Sequence, residues 1–585
     1  MENFIDYLNT LHRCNSNNKN ATAEANYMSE FSKDILVEDT EVINTICKGL
    51  YSDSSKVLLT GFAGDGKTTL AQQIVKRVAY GAQLTKPIQI FGETTLSKAL
   101  VVIKDLSESG TLEEKQTITE YLSNPAFAVL IVSNTGTILD CLKSVASKYG
   151  LSEIETESAV LQGIGADSSA GIGVITLPNI RISVINLIRY DNLRVAKQVL
   201  CKIIHHSYWT SSQADKESYP NIFENIAALK NTLVLDRLFL MYQRLYEYGE
   251  RLTMRNLIEH FAYIITGNNK GLNSDIYFFD NVFGGLDDHA KEITAISLIR
   301  RQGFGEHVPS SWKREIWINP NSLESFLIMK SFQHVLDKCL QDGKSKLEKG
   351  NLARLRLYRI LYFLSPLSNE GFDGEKFICS FLNSPGLLIW RKLQDKQMLE
   401  SKLESNLINR VRHVIKEYFA GVKLPENEKE GHEDIYITMS RHSKDIRQSA
   451  QAVIASFKWQ WQTTVALSIE NDYRGNKQLV LLKACKGKTL NECCNNQDCL
   501  KLLLPLPFLD YLLKRHMGHV GQIEFQNYQK RLDAFKISIL NDERKESKLS
   551  DDESILLVRL NSSRMLKDIR FRLVQENSKN YLEVF

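Results

Sequence analysis

From Lys56 to His205, short unbroken apolar runs alternate with stretches whose apolar residues recur every three or four positions. The runs are Lys56–Thr60, Pro87–Gly92, Ala99–Asp105, Ala128–Asn134 and Ile182–Ile188. An unbroken apolar run bounded by turn residues reads as a strand buried on both faces. The stretches between them read as helices, with Leu70, Ile74 and Val78 on one face of the first. Strand–helix alternation predicts a parallel sheet covered by helices on both faces, here over residues 39–210. Residues 1–38 read as a helix (Phe4 to Leu11) and a polar loop, and 163–173 as a Gly/Ser-rich loop. Residues 211–270 read as helices: Asn231 to Tyr248 presents Leu238, Met241 and Leu245, and Thr253 caps a second helix that ends at Gly267. Residues 271–430 read as a helical region, in which Arg354, Arg356 and Arg359 form a solvated face on the helix from Leu352 to Leu364. The charged stretch 423–433 reads as a linker. Residues 431–585 read as an α+β domain, where strict alternation from Phe457 to Ile469 predicts one strand.

The chemistry concentrates at the end of the first strand. Gly61-Phe62-Ala63-Gly64-Asp65-Gly66-Lys67-Thr68 reads G-x-x-x-x-G-K-T, between a strand and a helix as a phosphate-binding loop requires. Gly61, Ala63, Gly64, Asp65, Gly66, Lys67, Thr68 and Thr69 are the expected nucleotide contacts. Lys67 would reach the β- and γ-phosphates of ATP, and Thr68 would hold Mg²⁺. Asp105 ends the third run, at the edge where such sheets bind ligands. It can hold Mg²⁺ or cap the following turn. Asn134, at the end of the next run, can orient water or begin a turn.

Composition narrows the picture less. At 585 residues the chain exceeds one core. A net charge of +4 is too mild to identify a nucleic-acid partner. No basic region followed by an apolar one opens the chain, and the run around Leu502–Leu513 is interrupted by Pro505, Pro507 and Asp510, so neither a signal peptide nor a membrane span is expected. Ten scattered cysteines suit a reducing cytoplasm. Of Cys485, Cys493, Cys494 and Cys499, only the last two have metal-ligand spacing, so thiols are expected rather than a metal centre. No apolar strand presents the acid set of a nuclease, and Lys514-Arg515-His516 with Lys530-Arg531 read as solvated helix faces.

With these residues in hand, the chain resembles AAA+ and related P-loop ATPases. Gly61 to Thr68 resembles their Walker A motif, Leu100 to Asp105 their Walker B, and Asn134 their sensor-1 residue. The resemblance implies a P-loop NTPase core with a helical lid at 211–270, and offers Arg255 as a sensor-2 arginine or a surface charge. One position departs: Leu106 stands where such enzymes have a glutamate, leaving Glu108 or Glu93 to polarise the water. Arg181 and Arg189 are candidate arginine fingers.

Five stretches are similar to one family, the DNA phosphorothioation-dependent restriction protein DptF: Leu58–Lys67, Leu252–Leu257, Ile264–Gly267, Tyr277–Gly284 and Leu504–Tyr511. That resemblance implies a cytoplasmic ATPase, a monomer or a homo-oligomer, that acts with DptG- and DptH-like companions on DNA lacking phosphorothioate modification. The alternatives are a non-hydrolysing ATP-dependent switch or scaffold, and a signalling ATPase, which the lack of a tandem repeat disfavours.

Overall fold

The computed structural model describes residues 3–12, 30–104, 112–147, 150–165, 172–211, 216–267, 278–285, 289–306, 308, 347–365, 368–369, 372–395, 401–421, 434–438, 450–471, 477–495, 498–518, 525–544, 554–560, 566–576 and 579–584. Contacts divide the chain into two units, 1–383 and 384–585, with the division inside the stretch 271–430.

The first unit opens with α1 (Phe4–His12), α2 (Glu30–Ile35) and α3 (Thr40–Tyr51). It continues through β1 (Lys56–Thr60), α4 (Lys67–Val78), β2 (Ile88–Phe91), β3 (Ala99–Ile103), α5 (Leu112–Ser123), β4 (Phe127–Val132), α6 (Thr135–Ser147), α7 (Glu153–Gly165), β5 (Ile172–Leu177), β6 (Ile180–Asn186) and α8 (Asn192–Ile204). The six strands form one sheet in the order β2-β3-β4-β1-β6-β5. Strands β3, β4, β1 and β6 are parallel, and antiparallel β2 and β5 close the edges. Of the stretch 163–173 expected as a loop, Gly163–Gly165 end α7 and Ile172 and Gly173 begin β5, which hydrogen-bonds along β6, while 166–171 lie outside the described residues. That edge strand's mixed burial hides it from an apolar-run search.

Alternate strand residues face opposite ways, and each face has its own apolar layer. Leu59, Val102 and Leu130 pack with Ile43 and Ile46 of α3 and Ile74 and Val78 of α4. Leu58, Val101 and Ile131 pack with Ile118 of α5, Leu142 of α6 and Val160 of α7. The core is therefore α/β, with helices on both faces of a mostly parallel sheet. Lys56 opens β1 with its amine buried, donating to the carbonyls of Tyr121 (2.8 Å), Asn124 (2.9 Å) and Phe127 (2.7 Å). These bonds fix the turn that leads into β4.

A helical group follows: α9 (Pro220–Leu229), α10 (Thr232–Glu247), α11 (Met254–Thr266), α12 (Phe278–Asn281), α13 (Thr294–Arg301) and α14 (Leu347–Leu364). The two-residue strands β7 (Ser368–Asn369) and β8 (Phe372–Asp373) then lead into α15 (Gly374–Phe381). The cap on α11 is reciprocal: Thr253 Oγ1 accepts the Asn256 N–H, and Asn256 Oδ1 accepts the Thr253 N–H. Fully buried His260 on α11 bonds Tyr242 Oη of α10 through Nδ1 (2.8 Å) and donates from Nε2 to Val282 O (3.1 Å).

The expected solvated arginine face is not one. Arg356 pairs with Asp280 at 2.7 Å and Arg359 with the same carboxylate at 3.4 Å, all three side chains being largely buried. Burial draws the Arg359 pKa down, opposed by Asp280. The side chain of Arg354 lies outside the described residues. Replacing Asp280 with alanine leaves two buried guanidiniums without this carboxylate, and is expected to destabilise the unit by about 3 kcal/mol. Thermal unfolding of the variant checks this.

The second unit holds α16 (Leu387–Asp395), α17 (Ser401–Ala420), β9 (Asp434–Thr438), β10 (Ala450–Lys458), β11 (Val465–Asn471), β12 (Lys477–Lys483), α18 (Leu490–Asn495), β13 (Leu500–Leu503), α19 (Leu506–His516), α20 (Phe525–Arg544), β14 (Ser554–Leu560), β15 (Leu566–Glu576) and β16 (Lys579–Val584). Its strands form two antiparallel sheets, ordered β16-β15-β14-β10-β9 and β11-β12-β13. The single strand expected from Phe457 to Ile469 is two, one in each sheet. The chain turns at 462–464, where Gln462 takes a φ of 63° and Thr464 Oγ1 bonds Lys458 O and Gln460 O. Alternation continues across this turn, so periodicity alone could not locate the break. The Cys485 N–H donates to Cys493 Sγ at 3.1 Å, and among the described residues no three His, Cys, Asp or Glu are grouped to hold a metal. The 423–433 linker stretch lies outside the described residues. Among those residues, no helix is long and apolar enough to cross a membrane.

Candidate functional site

At the carboxyl edge of β1 the chain turns through the glycine loop into α4. Gly64 and Gly66 take φ values of 91° and 84°, which favour glycine. Gly64 also lies against the start of α11, where an added Cβ would come within 3.0 Å of Arg255 Cβ and Thr253 Oγ1. Gly66 is the N-cap of α4 and offers no side chain to its first N–H groups. Free N–H groups at a helix start, with the helix dipole behind them, favour an anion.

Lys67 stands at that start. Its Nζ donates to Gly61 O (3.0 Å), Phe62 O (2.8 Å) and Asn134 Oδ1 (2.8 Å). Asn134 reaches it because β4 lies beside β1 in the sheet. The Asn134 carbonyl also accepts the Ile138 N–H at 3.2 Å, at the start of α6.

Loop residues Ala63 to Thr69 line a cleft of about 400 Å³, together with Lys104, Asn134 and Arg255. Leu36, Val37, Val195, Val199, Met254 and Ile258 add apolar surface to the cleft. Segment 36–37 is pinned from two sides: Gln73 Nε2 donates to Val37 O (3.2 Å), and Lys202 Nζ donates to Leu36 O. Tyr7 and Leu11 of α1 complete this wall, and α1 packs along α11.

The exposed side chain of Arg255 borders the cleft, while its backbone N–H donates to Gly64 O at 3.1 Å. Thr68 borders the cleft with its hydroxyl available in type for a hard cation. Asp105 and Glu108 lie outside the described residues; Lys104, just before them, borders the cleft. Exposed Glu93 does not line it. Arg181 is the second residue of β6, at the end away from the loop, and Arg189 lies past the end of β6 without lining the cleft.

Two charged residues went unselected in the sequence. Arg251 pairs with the loop's Asp65, at 2.9 Å and 3.1 Å from its two oxygens. No local pattern signals a pairing across 186 positions. Glu259 borders the cleft one turn beyond Arg255, and burial pushes its carboxyl up to about 7 against the opposing Arg255 charge. Its position four residues after Arg255 was the available signal. Comparison of the chain with protein-family models, curated proteins and solved structures found no match.

Proposed function

We propose that this chain binds and hydrolyses ATP with Mg²⁺ as a P-loop ATPase of AAA+-like build. One observation carries the reading: Lys67 and the residues that open α4 line a cleft that is also lined by apolar Leu36, Val37, Val195, Val199, Met254 and Ile258. Such a cleft suits a molecule with a polyphosphate at one end and a flat base at the other. In this reading loop residues Gly61 to Thr69 cradle the phosphates, with Lys67 against the β- and γ-phosphates. Thr68 and Asp105 hold Mg²⁺. Asn134 faces the attacking water, and Glu108 or Glu259 is the acid that polarises it. The base lies between segment 36–37 and the Met254–Ile258 face, so α10 and α11 act as the lid, with Arg255 at its inner edge. The strand order supports this arrangement, since β4 brings Asn134 between the loop and the end of β3.

The wider role rests on the resemblance to the DptF family. The chain serves as the ATPase of a bacterial restriction system directed at DNA without phosphorothioate modification, with DptG- and DptH-like companions supplying cleavage. Leu106 after Asp105 favours a second reading, a switch that binds ATP and assembles partners with negligible turnover. ATP–Mg²⁺ titration and phosphate release, with and without duplex DNA and companions, test both. Binding with release supports the ATPase, and binding without release supports the switch. Absence of binding overturns both. The purified protein with ATP and Mg²⁺ is expected to leave plasmid DNA intact; nicking that survives loss of Lys67 would refute this division of labour.

A further inference from the structure

The glycine loop is fastened at two points, to the segment joining α10 to α11 and to the start of α11. The Asp65 side chain, 1% exposed, accepts the Phe62 N–H at 2.9 Å inside the loop and the two Arg251 contacts from outside it. The same guanidinium, 10% exposed, donates from Nη2 to Leu187 O at 2.9 Å, just past β6. The second fastening is the Arg255 N–H on Gly64 O, with the close approach that bars a side chain at Gly64. A Cβ at Gly61 would likewise meet Asp65 Oδ2 and Leu187 Cβ at 3.0 Å. The loop, the end of β6 and the start of α11 thus meet around one buried ion pair.

We propose that the Asp65–Arg251 pair is a latch that sets the shape of the loop and ties the α10–α11 helices to it, with Arg251 a positioning residue. Its two terminal nitrogens are committed to Asp65 and to Leu187 O, which leaves phosphate contact to Lys67 and the loop N–H groups. The arginine also cancels a carboxylate that would otherwise repel a polyphosphate from within the loop. With Asp65 bonded to both the Phe62 N–H and Arg251, a shift of the loop moves α11, whose Met254 and Ile258 line the cleft. The ligand side of this inference rests on the nucleotide reading; the latch itself belongs to the free protein.

Hydrogen exchange on the full, nucleotide-free chain tests the latch directly. Asp65→Asn keeps an acceptor for Phe62 but loses the charge, and Arg251→Met removes the guanidinium. Each is expected to speed amide exchange about tenfold in peptides covering 61–69 and 253–257, and the double variant no more than the larger single. Arg251→Lys, the milder change, is expected to fall between parent and methionine variant. Unchanged exchange, additive effects, or a lowered melting temperature with both peptides unaffected would overturn the latch. Titration with fluorescent ADP and ATP analogues at a temperature where the variants remain folded tests the consequence. Both analogues are expected to weaken by a similar factor, about tenfold. Loss confined to ATP would assign Arg251 to the terminal phosphate and overturn the positioning role. A parent chain that binds neither analogue would refute the nucleotide reading, while the exchange result would still decide the latch.

Discussion

Lys67→Ala is expected to lower affinity for ATP–Mg²⁺ by at least about a hundredfold, roughly 2.7 kcal/mol, and to abolish measurable turnover. The half-buried amine is the cation that β4 and the loop carbonyls hold at the start of α4. The Gly61 and Phe62 carbonyls and the Asn134 amide oxygen are neutral acceptors. A phosphate would offer charged acceptors at the same place, and hydrogen bonds between charged groups are about twice as strong as neutral ones. Alanine removes that gain without opening the sheet layers, which are built from other residues. The melting temperature is therefore expected to stay within a few degrees of the parent's. Isothermal titration with ATP and with ADP decides the matter: parental affinity for both in the variant would remove Lys67 from the site.

Stability should fall as pH drops below about 6.5, with His260 as a principal cause. Burial lowers its pKa from 6.5 to about 3, partly opposed by its bond to Val282 O. The folded state therefore keeps the ring neutral while the unfolded chain takes up a proton. Between those two values the unfolded state binds more protons, so stability rises with pH across that window. The contribution is complete above pH 6.5 and is lost as pH falls toward 3. At pH 5 the loss amounts to about 2 kcal/mol, and it grows to about 4 kcal/mol near pH 3. Denaturation of the parent and of His260→Gln at pH 7 and pH 5 isolates this effect from titrating carboxylates. The parent should lose about 2 kcal/mol more than the variant over that range. Equal losses would show that the ring's protonation does not distinguish the folded from the unfolded state.

What the sequence determined by itself is whatever local spacing encodes. The apolar runs of β1, β3 and β4 announce strands buried on both faces, because a strand with helices above and below has no polar side to show. Gly64 and Gly66 before Lys67 announce a left-handed turn into a helix, and Thr253 and Gly267 mark the two ends of α11. Tertiary structure decided which of these elements meet. Lys67 finds Asn134, 67 positions away, only because β4 is inserted beside β1. Arg251 finds Asp65, Arg356 and Arg359 find Asp280, and segment 36–37 bonds Lys202 of α8 and lines one cleft with α11. A charged side chain looks alike in sequence whether it will be solvated or paired, since its partner is chosen by strand order and helix docking. The turn at 462–464 was hidden for a related reason: alternation records which residues prefer burial, whereas the sheet each strand joins is settled by its neighbours.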